Sequence, residues 1–318
     1  MLGNLLFSVN VVLPLFLCCL VGYAARQWKL VDDKFVSGCS NVVFYIAIPA
    51  NIFMSLMGAD LRASIDLKLM GYIFGFILLM ALVLVLLVPR ILKDRATAAT
   101  AVVCIFRSNF AMLGIPLATS LMGQAGALPT LIMVPFATLL YTVLTVVLLV
   151  VLGGQRMEDK GGLFRYTLRE VLKNPLIVAS AASILVAALK IPLPGMVEKT
   201  VQYFANCCTA LSLFMLGAQL NLKEFRGRLG ITLPIAFSRL VLVPAIAISV
   251  AAALGFRGGE MGCALIFFAA PTAVNSYVLA GRMGGDGKLA GDSVLVTTGL
   301  AALTLTAWIF VLKSFALL

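Results

Sequence analysis

Residues 107–116 and 269–277 decide the fold, because each is a polar, proline-containing stretch inside a long apolar segment. The first reads RSNFAMLGIP and the second reads AAPTAVNSY. Proline lacks a backbone N–H and clashes with the preceding helical turn, so Pro116 and Pro271 each predict an interrupted helix. In lipid, freed backbone groups are tolerated only where they line protein or water. The two stretches therefore predict a pair of broken helices with polar side chains at the breaks.

The composition of the surrounding chain predicts a membrane protein. Of 318 residues, 62% are hydrophobic and 12% are charged, whereas soluble domains are about half apolar and about a quarter charged. Four apolar runs hold almost no charge: 71–88, 131–152, 231–254 and 300–312. Most of them are long enough to cross the hydrocarbon layer of a lipid bilayer, which needs about 20 helical residues. We therefore interpret the formal charge of +11 as a signal of membrane topology rather than of nucleic-acid binding.

Ten apolar segments divide the chain, and each predicts one transmembrane helix. The expected fold is an all-α polytopic membrane protein with ten transmembrane helices. The approximate bounds are 5–25, 36–57, 68–89, 97–122, 127–152, 174–190, 199–220, 230–254, 260–283 and 289–315. The polar stretch 153–173 is predicted to be a cytoplasmic linker between a first five-helix repeat, 1–152, and a second, 174–318.

The two halves resemble each other at an offset of about 160 residues. Met57-Gly58-Ala59 corresponds to Leu216-Gly217-Ala218, and Ile105-Phe106 corresponds to Ile266-Phe267. Because five is odd, the second half must enter the membrane from the opposite side, which predicts a 5+5 inverted repeat. Secondary transporters often have this architecture, and they bind their substrate near the midplane, where helices are interrupted.

Basic residues in the loops predict the orientation. With the N-terminus outside, the inner loops carry 16 of the lysines and arginines and the outer loops carry 6. Cytoplasmic loops carry the excess of basic residues in membrane proteins. Both termini are therefore predicted to be extracytoplasmic, in a multi-pass protein of the cell (inner or plasma) membrane.

The interrupted stretches supply candidate substrate-binding residues near the middle of the membrane. Asn109 and Pro271 are expected to lie about 17 Å along their helices. The asparagine carboxamide both donates and accepts hydrogen bonds, so it can serve a carboxylate or a backbone amide. The predicted site comprises these two residues and their neighbours: Asn109, Arg107, Pro116, Pro271, Thr272, Asn275 and Arg239.

Arg107 and Arg239 are also predicted to lie near the midplane, where a charge is costly and marks a functional candidate. No aspartate or glutamate is predicted at that depth. The simplest account is an unpaired cation that awaits an anion, since a guanidinium group binds a carboxylate through two hydrogen bonds. One arginine is expected to contact the substrate or to contribute to the electric field around it. The other could satisfy backbone carbonyls freed by a helix break.

These features predict a carrier of a small organic anion, a mono- or dicarboxylate. The chain has no histidine and its seven cysteines form no CxxC pair, so no catalytic residue, metal site or cofactor is predicted. No filter-like loop indicates a channel, although an anion channel stays an alternative. Without a deep acid or a histidine, uniport or anion exchange is favoured, but sodium-coupled symport through Thr272, Thr297 and Thr298 stays open.

Several motifs resemble those of the auxin efflux carrier family, which includes plant carriers and bacterial permeases for malonate, malate and similar acids. The Asn-x₅-Ile-Pro pattern from Asn109 to Pro116 resembles the fourth helix of the family, and Pro271-Thr272 resembles its ninth. Ser238-Arg239-Leu240, followed by Pro244, resembles its eighth. The likeness spans nearly the whole chain. The plant members carry a proline directly before the asparagine, where this chain has Ser108, so we expect the break in helix four at 114–116.

The resemblance implies a specific architecture and mechanism. Helices four and nine would cross, helices 1, 2, 6 and 7 would form a scaffold, and helices 3–5 and 8–10 would form a transport domain that moves in an elevator-type alternating-access cycle. A homodimer through helices two and seven is also expected, since Gly58, Gly217 and Ala218 are small residues that permit close helix approach. The long cytosolic loop of many plant members is absent, which favours a bacterial organic-acid permease.

Overall fold

A computed structural model describes residues 1–57, 66–153, 172–189, 191–220 and 227–318. These residues form fourteen α-helices and three π-helical turns. In chain order they are α1 Leu2–Gln27, α2 Asp33–Val42, π1 Val43–Ala47, α3 Ile48–Met57, α4 Leu67–Ile91, α5 Arg95–Phe106, π2 Phe110–Gly114, α6 Ile115–Gly126, α7 Leu128–Gly153, α8 Pro175–Ala188, α9 Gly195–Ala218, α10 Leu229–Phe237, π3 Ser238–Leu242, α11 Val243–Ala253, α12 Gly258–Ala269, α13 Asn275–Arg282 and α14 Gly287–Ser314. Most of the predicted linker 153–173, and Gly58, lie outside the described residues.

The described helices are those of a membrane protein. Seven helical stretches are long and apolar enough to cross a bilayer: α1, Asp33–Met57, α4, α7, α9, Leu229–Ala253 and α14. Three further apolar helices, α5, α8 and α12, are shorter. Large apolar side chains such as Leu79, Leu82 and Leu303 are exposed, as on a surface that faces lipid. The all-helical membrane fold is confirmed, while the count of ten crossings and the inverted repeat stay predictions.

Each of the three π-helical turns is followed by a proline in the next α-helix. Pro49, Pro116 and Pro244 are all the second residue of that helix. A proline ring clashes with the carbonyl four residues before it, and the wider π turn gives that carbonyl room to move aside. The helix therefore continues through the proline, with φ of −68° at Gly114 and −61° at Ile115. The expected break at 114–116 is wrong.

The chain leaves helical geometry at Arg107 and at Ala270 instead. Ala270 has φ −64° and ψ 150°, the extended conformation that a following proline favours. Arg107, with φ −83° and ψ 111°, is also extended although no proline follows it. The two extended segments pair as an antiparallel bridge between Ser108 and Thr272. The interruptions therefore lie side by side and satisfy each other's backbone.

Two glycines bring α1 and α9 into backbone contact. A Cβ atom at Gly217 would lie 1.7 Å from the carbonyl oxygen of Cys19, and one at Gly22 would lie 1.9 Å from that of Phe214. Only glycine fits at such distances. Gly217 was expected to permit helix approach in a dimer, and that assignment is wrong, because its close contact is with α1 of the same chain. The homodimer itself stays a prediction.

Two groups of helices can be distinguished by their contacts, and α1 joins them because it also packs along α14. In the first, α1 and α3 both pack along α9, and α3 also packs along α8. In the second, α5 contacts α4, α7 and α14, while α12 contacts α6, α7 and α11. The first group contains the elements predicted as scaffold and the second contains those predicted as transport domain. Which group moves stays a prediction.

Candidate functional site

The two interruptions are held together by backbone hydrogen bonds. The Asn109 N–H donates to the carbonyl of Pro271 at 2.8 Å, and the Ala273 N–H donates to that of Arg107 at 3.1 Å. The Thr272 hydroxyl donates to the carbonyl of Cys104 at 2.7 Å, and the Thr272 N–H donates to Oγ1 of Thr297 at 3.2 Å. Thr272 is therefore a buried structural link between the segments, and both its hydroxyl and its N–H donate hydrogen bonds.

Arg239 is fully buried and donates only to backbone carbonyls among the described residues. Its Nε lies 2.8 Å from the Ala270 oxygen and its Nη2 lies 3.0 Å from that of Phe267. Its Nη1 lies 3.2 Å and 3.4 Å from the oxygens of Ile105 and Phe106. These four carbonyls lie at the C-terminal ends of α5 and α12. The last carbonyls of a helix have no N–H partner within the helix, so they need another donor. Of the two predicted roles for the arginines, Arg239 has the one that satisfies freed carbonyls.

The paired interruptions 107–109 and 270–273, hereafter the crossing, lie in an uneven electric field because of the directions of the half-helices around them. α5 and α12 end there with the negative end of their dipoles, and the Arg239 guanidinium lies against those ends. Two other half-helices, π2 with α6 and then α13, begin at the crossing with the positive end of theirs. The negative ends are thus neutralised while the positive ends are not, which favours a negatively charged ligand at the crossing.

Arg107 is the second cation at the crossing, and its environment differs from that of Arg239. It is partly exposed, and its Nη1 donates to Oγ1 of Thr145 at 3.0 Å. Among the described residues no carboxylate forms an ion pair with it. A guanidinium with an exposed part and no acidic partner is suited to bind an anion. Arg107 therefore fits the predicted role of the substrate-contacting arginine.

Asn109 supplies a polar group beside this arginine in the chain. The residue is 4% exposed, and its Nδ2 is buried without a described hydrogen-bond partner. It precedes π2 but its side chain does not cap that turn. A buried amide donor without a partner requires water or a ligand to satisfy it. Asn109 is thus the strongest of the predicted ligand donors on geometric grounds.

The remaining predicted site residues have different positions. Pro271 is buried in the interruption itself and supplies the carbonyl that Asn109 uses. Pro116 is buried in the first turn of α6, seven residues along the chain from Asn109. Asn275 is the first residue of α13 and is exposed. Arg107 and Asn109 therefore lie at the crossing with hydrogen-bonding capacity left for a ligand, and Asn275 adds an exposed carboxamide at the start of α13.

Two residues of α7 complete the site and were not predicted. Thr145 accepts the hydrogen bond from Arg107, and Tyr141, one turn earlier, is buried with its hydroxyl lacking a described partner. The Tyr141 ring stacks on Phe110, with ring centres 5.5 Å apart, and lies 5.4 Å from the Phe106 ring. Their spacing of four residues places both on one face of an otherwise apolar helix. In the sequence, this pair of polar residues within the apolar run 131–152 could have indicated that α7 contributes to the site.

Two of the three hydroxyls considered for sodium already donate to backbone carbonyls. Thr272 and Thr297 use their hydroxyls on backbone carbonyls, and the Thr298 hydroxyl is buried without a described partner. In the described ranges, no three His, Cys, Asp or Glu side chains are grouped closely enough to hold a metal ion. Asp292 lies in the second turn of α14, near the helix end as predicted, and is 3% exposed.

An ion pair joins the starts of α10 and α14, at the predicted cytoplasmic end of the second helix group. Nη1 of Arg228 donates to Oδ2 of Asp286 at 2.8 Å. This hydrogen bond holds the pKa of Asp286 below its ordinary value, so the carboxylate stays ionised at neutral pH. Asp286 also caps α14, because its Oδ1 accepts from the Leu289 N–H at 3.0 Å. The pair therefore fixes two helix starts relative to each other.

The fold and the crossing define a polytopic membrane transport protein. Residues 7–309 match a family described as Membrane transport protein, and the chain belongs to that family. The resemblance to the auxin efflux carrier family, stated above from sequence motifs, is thereby confirmed.

Curated relatives of similar length support the same class. The chain is 24% identical over 316 residues to an uncharacterized transporter of Methanocaldococcus jannaschii, covering 96% of this chain and 99% of that one. It is 25% identical over 306 residues to an uncharacterized transporter of Methanothermobacter thermautotrophicus, covering 96% and 98%. It is also 24% identical over 323 residues to a protein of Rhizobium meliloti named "Putative malonate transporter", covering 97% of each chain.

Proposed function

We propose that the protein is a secondary carrier of a small organic anion, a mono- or dicarboxylate. The observation that carries the proposal is the contrast between the two arginines. Arg239 is saturated by four carbonyls, whereas Arg107 is partly exposed and has no described acidic partner. A cation of this kind, three residues before the positive end of π2, attracts a carboxylate.

A bound carboxylate would use the groups that the fold leaves unsatisfied. One oxygen would accept from the Arg107 guanidinium and another from Nδ2 of Asn109, which lacks a described partner. Tyr141 would add a hydroxyl donor, and the rings around it would exclude water from the apolar part of the molecule. The name of the Rhizobium meliloti relative is consistent with a dicarboxylate substrate.

We further propose that transport proceeds by an elevator-type alternating-access cycle. The bridged interruptions would form one transport unit with α4–α7 and α10–α14, and this unit would carry the anion past a scaffold of α1–α3, α8 and α9. The proposal includes ten crossings in a 5+5 inverted repeat, as in other carriers with interrupted helices. The proposal of a homodimer in the bilayer rests on the family resemblance alone. The mass of the protein in nanodiscs tests it.

The proposed orientation has both termini outside the cytoplasm. Position 158 lies in the predicted cytoplasmic linker and outside the described residues, and a single cysteine placed there by Glu158→Cys in a cysteine-free background reports its side of the membrane. We expect a membrane-impermeant thiol reagent to label this cysteine only after the cells are opened. Ready labelling in intact cells would reverse the orientation.

The function is tested by counterflow in proteoliposomes. Vesicles loaded with unlabelled malonate, succinate or lactate are diluted into a trace of the same radiolabelled acid. A carrier accumulates label transiently, whereas a channel only dissipates gradients. We expect accumulation with at least one acid, and that acid raises the melting temperature of the purified protein by mass action. Repeating the assay without sodium separates symport from exchange. If none of the acids exchanges or stabilises the protein, or if only cations do, the proposal fails.

A further inference from the structure

An apolar groove of about 540 Å³, hereafter the lateral groove, lies between α1, α10 and α14. Both α1 and α10 pack along α14, and among the described residues no comparable contact joins α1 to α10. The lateral groove is the gap that this arrangement leaves, and residues 295–296 and 298–300 of α14 line it between the other two helices. Apart from Tyr23 and Thr298, the lining residues are apolar or glycine.

The lateral groove opens sideways, toward the lipid. Its rim carries exposed leucines on all three helices, Leu20 of α1, Leu233 of α10 and Leu300 of α14, while Cys19 within it is buried. In a membrane protein such exposed leucines face hydrocarbon rather than water. A molecule that enters the groove from the side must therefore be dissolved in the bilayer.

The lateral groove extends over the depth of about one lipid leaflet. On α1 its lining residues recur at three- and four-residue intervals, Phe16, Cys19, Leu20 and Tyr23, so one face of the helix follows it. Trp28 directly follows α1 and is exposed, as tryptophans at the membrane–water interface are. Phe16 lies about 17 Å from that end of α1, and the hydrocarbon of one leaflet is about 15 Å thick. The groove thus runs from the headgroups toward the middle of the bilayer, as an acyl chain does.

Cations flank the lateral groove at its headgroup end. Arg26 lies one turn beyond Tyr23 on α1, and Arg228 directly precedes α10. Each arginine pairs with an aspartate but keeps part of its side chain exposed. The exposed Lys29 adds a third cation at the same end of α1. Guanidinium groups bind phosphate through two hydrogen bonds, and basic sites between membrane helices bind phospholipid headgroups. The charge at this end therefore suits a phosphate group.

The phosphate contact is needed to hold a lipid there in preference to the surrounding lipid. An acyl chain that enters the groove exchanges one hydrocarbon environment for another, so its burial gains no hydrophobic free energy. Packing against the helix walls and the attraction between phosphate and arginine remain as the favourable terms. A lipid with the same chains but no phosphate keeps the first term and loses the second.

We propose that the lateral groove binds one acyl chain of a phospholipid whose phosphate group lies against Arg26 and Arg228. The lipid comes from the leaflet at the end of α1, which is cytoplasmic in the proposed orientation. The site does not depend on the identity of the transported substrate. Because α1 is predicted as scaffold and α10 and α14 as transport domain, the bound chain lies at the boundary between them, where it would be displaced if the two groups move as proposed.

The test is native mass spectrometry of the full-length protein, purified in detergent and titrated with dioleoylphosphatidylglycerol. Gly299 lines the lateral groove, and a Cβ atom there would meet no atom within 4 Å. Gly299→Leu therefore fills the groove without a clash, and leucine is the better helix former. We expect one saturable phospholipid per chain in the parent and roughly 10-fold weaker binding in this variant. Dioleoylglycerol, which lacks the phosphate, should bind the parent roughly 10-fold more weakly than the phospholipid, because a charge-assisted contact is lost.

The matched control is Gly75→Leu. Gly75 is exposed within α4, outside the groove, and a Cβ atom there would also meet no atom within 4 Å. This variant should bind the phospholipid within about twofold of the parent. If Gly299→Leu does not fold, Leu233→Trp narrows the groove from α10 and should weaken binding in the same way.

Three results would overturn the lipid site: no saturable phospholipid in the parent, unchanged binding in the folded groove variant, or equal binding of dioleoylglycerol. A dimer that forms without bound lipid and is lost in Gly299→Leu would assign the groove to a second copy of the chain, which also overturns it. Each result leaves the carrier proposal untouched, since counterflow of organic acids tests that separately.

Discussion

Replacing Arg107 by glutamine is expected to weaken organic-anion binding roughly 10- to 150-fold without loss of folded protein. A hydrogen bond to a charged group contributes about 1.5–3 kcal/mol, and every 1.4 kcal/mol is about tenfold in affinity. The native fold does not depend on this charge, because Arg107 is partly exposed and makes one described side-chain hydrogen bond, to Thr145. Asn109→Ala should weaken binding on the same scale, since it removes a donor that no described group uses.

The measurement is ligand-induced thermal shift together with proteoliposome counterflow for each variant. Lys34→Gln serves as the control, because Lys34 is an exposed cation near the start of α2 and should affect neither readout. Arg107→Lys retains the charge but not the fork of two donors, so it should recover part of the affinity. The midplane site is misplaced if Arg107→Gln and Asn109→Ala both bind and exchange the acid like the parent.

Replacing Arg239 by glutamine is expected to destabilise the protein by about 3–5 kcal/mol, as when one partner of a buried charged network is removed. The loss should show as a lower melting temperature and a lower yield of monodisperse protein. Glutamine has one NH₂ group, which cannot reach the four carbonyls that the guanidinium serves at 2.8–3.4 Å. Each buried carbonyl left unpaired costs about 1–3 kcal/mol.

Arg239→Lys is a second variant at this position, and it tests the charge separately from the hydrogen bonds. It retains the positive charge at the ends of α5 and α12 but donates in fewer directions, so it should be intermediate in stability. The comparison with Arg107→Gln, which is expected to fold, separates a structural arginine from a binding one. If the Arg239→Gln protein melts like the parent but no longer binds the acid, Arg239 is the binding arginine and the proposed roles of the two arginines are reversed.

The sequence by itself determined the class of fold and most of the candidate site. Its apolar composition and ten long segments required lipid, because too few charges were present to cover a soluble surface. Two interrupted stretches, 107–116 and 269–277, indicated where backbone groups would be freed. Asn109 and Arg107 were identifiable because polar and charged groups rarely occur at their predicted depth without a function.

Only the tertiary structure decided what each polar group does. Arg107 and Arg239 are alike in sequence, and they differ because the carbonyls bound by Arg239 belong to helices 28 to 134 residues away in the chain. The break in the first half lies at 107–109 rather than at Pro116. A π turn accommodates the proline, while pairing with Thr272 holds the preceding residues extended. Such outcomes depend on contacts between distant segments, and local propensity carries no information about them.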